Sequence, residues 1–306
     1  MSSEVLLTRP NHRIVHHRPE RSRKTRVLIT FGESGMSDAG PWTQLALERG
    51  HETIHISSAS AYQGLEVEDV AEALTSVLDG RKAITCGSGV GGYAAIYFGS
   101  AIASQIIAFS PRHDGHPTLG RGAAGGEWTH AEALTDLAKH EGTATVVFDP
   151  ADAAAQTLVA QWLQPAYPQA QSQPLFLAGT DTARALDEAG QLVPFLEKSL
   201  NGYVPKKVKP IFAPNSAKGL WAQGLSLWFE GDTKNALATM LQSARTAPEA
   251  GTLMDIAARA QSVSDGDALR AVASLVGEHE LWASMNGKTA RLLLNAQRKA
   301  PAVANG

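Results

Sequence analysis

Cysteine is almost absent: Cys86 is the only one in 306 residues. A lone thiol excludes an internal disulfide and fits a reducing compartment. Long apolar runs are missing as well. None approaches the ~18 residues that a membrane-spanning helix needs, so no membrane span is expected. The N-terminus lacks an apolar stretch followed by a small-residue cleavage site, which reads against a secretory leader and makes the cytoplasm the expected location. Charge of one sign is not in excess. The formal net charge is -3, so no broad field draws the chain to nucleic acid or to a membrane surface, and nucleic acid is not an expected partner.

What is present is an ordinary globular composition, 43% hydrophobic and 19% charged, in a chain long enough to bury a large core. Residues 1–25 depart from it. Arg9, Arg13, Arg18, Arg21, Arg23 and Lys24 stand among His12, His16 and His17. This segment reads either as a basic arm for an acidic partner or as a hairpin, because Leu6-Leu7 and Ile14-Val15 look like short strand pieces.

From residue 26 the pattern alternates. Brief apolar runs at Val27–Phe31, Thr53–Ser57, Ala83–Cys86, Ile106–Ser110, Thr145–Asp149 and Leu175–Ala178 read as strands buried on both faces. Helical stretches separate them at Pro41–Arg49, Val67–Leu78, Gly91–Ala101, Ala131–His140 and Asp152–Leu163, and Thr182–Leu200 reads as one long closing helix. The expected fold class is α/β, a doubly wound, mostly parallel sheet over residues 26–202. Residues 203–216, with Pro205, Pro210 and Pro214, read as a linker. Residues 217–306 read as a small all-helical domain.

The segment Gly87-Ser88-Gly89-Val90-Gly91-Gly92-Tyr93 joins a strand to a helix of small residues. A nucleophile elbow, G-x-S-x-G, has this frame: its glycines let two backbones pass closely, and its central residue takes a strained conformation. Here the central residue is Gly89. With that elbow, the following Tyr93-Ala-Ala95 and the phrase Ala108-Phe-Ser-Pro111, the chain resembles a bacterial group of α/β-hydrolase-like proteins over about residues 26–200. The resemblance implies an α/β-hydrolase fold and, in one branch of the group, glycine in place of the serine. It also implies an association with glycan or surface-structure assembly. From Ala217 onward, Gly224, Gly231, Ala236, Met240, Ala244 and Pro248 make the tail loosely similar to tetratricopeptide repeats.

The rest of a hydrolase triad can be placed on the same frame. The acid belongs after Thr145–Phe148, where Asp149 and Asp152 stand; the histidine belongs after Gly179, where the chain reads Thr180-Asp181-Thr182. Glycine has no side chain to attack with, and a serine without a base is a poor nucleophile. The expected function is therefore a catalytically degenerate hydrolase-like protein that binds a ligand or a partner, with Gly89 as a vestigial elbow. Gly32, Ser34, Gly87, Ser88, Gly89, Val90, His113, Asp149 and Asp181 are the candidate ligand-binding residues. The expected ligand is a glycan or an anion, and the helical tail is the expected docking element for a protein partner.

Two alternatives remain open. An active hydrolase or transferase could use a non-standard set drawn from Ser88, His113, His116 and Asp149. Gly87, Gly89 and Gly92 also satisfy G-x-G-x-x-G, so the turn could bind a nucleotide. His113 and His116 could in principle hold a metal, but their spacing matches no established zinc motif, so neither a metal nor a cofactor is expected. Trp128, Trp162, Trp221, Trp228 and Trp282 could line a sugar site, with packing as the plainer role.

Overall fold

The computed structural model describes residues 1–22, 25–102, 105–120, 128–137, 142–203 and 207–298. Arg23, Lys24 and Pro205 lie outside the described residues, as do residues 138–140 of the expected Ala131–His140 helix. The chain divides into two compact units, residues 1–209 and 210–306.

The first unit is built on one eight-stranded sheet. Strands β1 (Ser2–Arg9) and β2 (His12–Arg18) form an antiparallel hairpin, so the basic N-terminal segment is part of the sheet. The hairpin joins through β2, which pairs antiparallel with β4 (Glu52–Ser58). Strand β3 (Arg26–Phe31) lies parallel to β4 on one side and to β5 (Lys82–Ser88) on the other. Strands β6 (Gln105–Phe109), β7 (Thr143–Phe148) and β8 (Gln171–Pro174) continue the parallel set. The order is β1-β2-β4-β3-β5-β6-β7-β8. This is the expected α/β class, a doubly wound, mostly parallel sheet.

Between the strands run α1 (Thr43–Glu48), α2 (Val67–Leu78), α3 (Val90–Ile102) and α4 (Ala153–Leu158). Helix α4 continues through a π turn at Val159–Leu163 into α5 (Gln164–Ala166). Helices α6 (Thr182–Glu188) and α7 (Leu192–Leu200) close the unit. Alternate strand residues Val27, Ile29, Phe31, Ile54 and Ile56 join one buried core with α2, α3 and the π turn. On the opposite face Phe109 packs between Trp42, just ahead of α1, and Phe195 of α7.

Four expectations are corrected. The last strand is not Leu175–Ala178 but β8, four residues earlier. Its Gln171-Ser-Gln-Pro sequence is polar, which an edge strand paired on one side tolerates. The closing helix is two helices, because Gly190 turns the chain at φ +65° between α6 and α7. The described part of Ala131–His140 holds only a 3-10 turn at Leu134–Asp136. Asp152 caps the backbone N–H groups of Ala154 and Ala155, so it opens α4 rather than lying inside a helix.

The second unit contains α8 (Ala217–Phe229), α9 (Thr233–Thr246), α10 (Ala250–Ser262), α11 (Gly266–Glu278) and α12 (Gly287–Arg298), with a 3-10 turn at Leu281–Ser284. Its core comes from its own helices, through residues such as Met240, Ile256, Val272 and Leu293. Trp221, Trp228 and Trp282 pack at the margin of that core. Among the described residues, no helix is long and apolar enough to cross a membrane.

Candidate functional site at the elbow

The chain leaves β3 for β4 on one side, then crosses to β5 on the other. The C-terminal ends of β3 and β5 therefore meet where the strand order reverses, the point at which open α/β sheets form their binding crevice. Phe31-Gly32-Glu33 leads out of β3 there, and Ser88-Gly89 leads out of β5 into α3.

The glycines have distinct duties at this turn. A side chain on Gly87 would overlap the Gly91 carbonyl, and one on Gly91 would overlap the Phe31 and Gly32 carbonyls. A Cβ on Gly92 would stand 3.1 Å from the Phe109 carbonyl oxygen. The small residues let α3 descend directly onto β3, β5 and β6. Gly89 differs in taking φ +57°, the left-handed conformation of an elbow's central residue. Its N–H donates to the Phe109 carbonyl at 3.0 Å, and its own carbonyl accepts from the Arg112 N–H at 3.1 Å.

The space above Gly89 is filled by Glu33. A Cβ built on Gly89 would overlap the Glu33 carboxylate. That carboxylate is half-exposed and stands 3.8 Å from the Arg112 guanidinium. Burial raises the Glu33 pKa first and the charge of Asp181 raises it further, while Arg112 pulls the other way. Glu33, Arg112 and Asp181 thus converge electrostatically on the elbow. Neither Glu33 nor Arg112 was singled out by the sequence. The signal available was the position of Glu33 two residues past β3, in the loop that faces the elbow.

The candidate residues drawn from the sequence separate into groups. Gly32, Gly87, Ser88, Gly89 and Val90 come together at the turn. Ser34 is exposed on the loop after β3. Asp149 is buried, and its carboxylate is bound by the N–H groups of Ala151 at 3.0 Å and Gly179 at 2.8 Å. Asp181 accepts the Arg184 N–H and caps α6. Each of these carboxylates is thereby held by backbone donors.

Ser88, His113, His116 and Asp149 form no relay. The Ser88 Oγ is buried without a partner. His113 donates Nε2–H to the Ala61 carbonyl at 3.0 Å and accepts the Gly115 N–H on Nδ1. His116 donates to the Glu132 carbonyl and accepts from the Thr118 and Leu119 N–H groups. Both rings are buried and neutral, with burial as the main cause of their lowered pKa values. Their nitrogens are committed to the backbone, which leaves neither ring free to serve as a base or a metal ligand. Both rings pack against Trp128, and His116 lies edge-on to Trp162. Trp162 donates its indole N–H to the Glu132 carbonyl, a packing role.

No family model and no curated protein matches the chain. Solved structures do resemble it. A lidless α/β serine hydrolase from Xanthomonas campestris is 15% identical, with a TM-score of 0.44 over 68% of this chain and 96% of that one. A sugar hydrolase from Lactococcus lactis is 11% identical, with a TM-score of 0.45 over 77% of this chain and 100% of that one. An α/β serine hydrolase homologue from Coxiella burnetii is 15% identical, with a TM-score of 0.40 over 65% of this chain and 96% of that one.

Proposed function

We propose that the first unit is a hydrolase-like fold whose elbow has lost acyl transfer and now serves binding. The observation that carries this reading is the carboxylate of Glu33 over Gly89. An acyl-transfer elbow presents a nucleophile into an electron-poor pocket that stabilises developing negative charge. This elbow presents no side chain, and a carboxylate covers the turn. The acid position, Asp149, is tied to the Gly179 N–H, in the stretch where a triad would hold its histidine.

A ligand that reaches the turn must move Glu33 aside. The Arg112 guanidinium favours a ligand with a carboxylate, a phosphate or another anionic group, including an acidic glycan. The glycines offer less to a dinucleotide, because their close approaches are to the protein's own carbonyls and the Gly89 N–H is already bonded. The helical second unit, with a core of its own, is the proposed docking element for a protein partner.

The elbow reading is tested by treating the full chain with a fluorophosphonate and mapping any adduct by peptide mass. It expects no adduct on the peptide carrying Ser88. An adduct there, abolished by Ser88→Ala, overturns it. The docking proposal is tested by removing residues 210–306. Co-purification with a partner must then be lost; a partner retained by the sheet unit alone refutes the assignment.

A further inference from the structure

The opposite face of the sheet carries a second polar constellation. On β4 the apolar Ile54 and Ile56 alternate with Thr53, His55 and Ser57, and all five are buried. His55 lies in register beside Thr30 of β3. Its Nδ1 is 2.9 Å from the Thr30 Oγ1, and its Nε2 is 2.9 Å from the Ser37 Oγ. With the Thr30 hydroxyl turned toward the Ile54 carbonyl, 3.4 Å away, its oxygen accepts the Nδ1–H of His55 in the tautomer that leaves Nε2 free to act as a base. The lone pair of Nε2 then faces the Ser37 O–H. Ser37 is exposed although its base is buried.

The loop that brings Ser37 to His55 is tied at several points. The Ser37 N–H donates to the Ser57 Oγ, which donates back to the Ser37 carbonyl. His17 Nε2 donates to the Asp38 carbonyl at 2.6 Å, and the Asp38 carboxylate pairs with Arg13 at 2.6 Å. Gly40 lies directly over the His55–Thr30 bond. A Cβ there would stand 2.6 Å from Nδ1 and 2.9 Å from the Thr30 Oγ1. Only glycine lets the backbone seal the base in this way.

The geometry points to Ser37 as a nucleophile that accepts an acyl group from an activated ester, with His55 as its base and Thr30 as the residue that positions His55. The Ser37 Oγ bonds to the acyl carbon and the bond from that carbon to the leaving alcohol breaks. His55 Nε2 takes the serine proton and passes it to the departing oxygen. Burial is the main cause that pushes the His55 pKa down to about 4, with His17 lowering it further and Asp38 opposing, so the ring is a neutral base at pH 7. Among the described residues a threonine hydroxyl, not a carboxylate, stands behind Nδ1, so the imidazolium formed in the step is weakly supported. That restricts the donor to an activated ester with a good leaving group.

This inference does not rest on the elbow reading, and its label falls on a different peptide. The test uses the full chain and a fluorophosphonate, which forms a stable Oγ–P bond as fluoride leaves. One equivalent is expected on the Ser37 peptide, absent in Ser37→Ala and unchanged in Ser88→Ala. Labelling should slow by about 100-fold in His55→Gln and in Thr30→Val, the scale of a lost general base, with Thr30→Val still giving the circular dichroism spectrum of the folded parent. Should His55→Gln fail to fold, Thr30→Val decides. No adduct on Ser37, or equal rates in the parent and Thr30→Val, overturns the assignment.

Discussion

The carboxylate of Glu33 occupies the position from which a side chain on Gly89 would rise. Two costs therefore meet any substitution at Gly89. The first is the left-handed backbone, φ +57°, worth about 1–2 kcal/mol for a residue with a Cβ. The second is the overlap with Glu33, which vanishes if that side chain is shortened. Gly89→Ala should lower unfolding free energy in urea by at least the backbone cost. Adding Glu33→Ala should return part of the loss. A double-mutant cycle with zero coupling would mean that Glu33 swings away freely.

The Glu33 charge has a pH signature of its own. Burial and Asp181 raise its pKa in the folded chain above the ordinary 4.5. The folded state then holds the proton more tightly than the unfolded state, so ionising Glu33 costs stability at neutral pH and nothing at low pH. Glu33→Gln is expected to stabilise the chain at pH 7.5, with the gain vanishing below the unfolded pKa. Urea midpoints of both chains across this range check it. A gain that persists unchanged at pH 3.5 would assign the effect to packing instead.

Much of the elbow was legible in the sequence, because Ala83–Cys86 is a short, mostly apolar run followed at once by clustered glycines. Gly87 and Gly91 are glycines for the reason inferred, a backbone that leaves no room for a Cβ. The edge strand β8 was not legible, since Gln171-Ser-Gln-Pro has no apolar signal and its position at the sheet margin cannot be read locally. The Ser37–His55 pair escaped for another reason. The alternation of Thr53, His55 and Ser57 with isoleucines was visible, but Thr30, the partner of His55, is contributed by another strand. Glu33 likewise acquires its meaning only when β3 and β5 are side by side.

Ser88 and Gly91 distinguish an elbow built for packing from one built for attack. The Ser88 Oγ is buried without a hydrogen-bond partner, a state that disfavours the folded chain. Ser88→Ala should leave stability unchanged or raise it by up to about 1 kcal/mol. Gly91→Ala should cost about 2 kcal/mol or more, because its Cβ meets the backbone of Phe31 and Gly32, which cannot turn aside. Thermal unfolding of the two variants gives the comparison. Loss of stability in Ser88→Ala would reveal a partner for its hydroxyl.

Acid should unfold the first unit through its buried histidines. His130 accepts the Tyr93 hydroxyl on Nδ1, donates to the Tyr62 carbonyl from Nε2, and stacks on Tyr97 at 4.2 Å. Burial, with His113 and His12 adding repulsion, lowers its pKa from 6.5 to about 4 against backbone bonds that raise it. His55 is lowered to the same level. A histidine with a depressed pKa takes its proton more readily when unfolded. Stability is therefore whole above pH 6.5 and falls as pH drops toward 4. Each ring contributes at most on the order of 3 kcal/mol to that loss. His130→Phe will be less stable at pH 7.5, since two hydrogen bonds go with the ring. Its stability should nevertheless fall less steeply between pH 6.5 and 4.5 than that of the parent, and equal slopes in urea titrations would show that His130 carries none of the linkage.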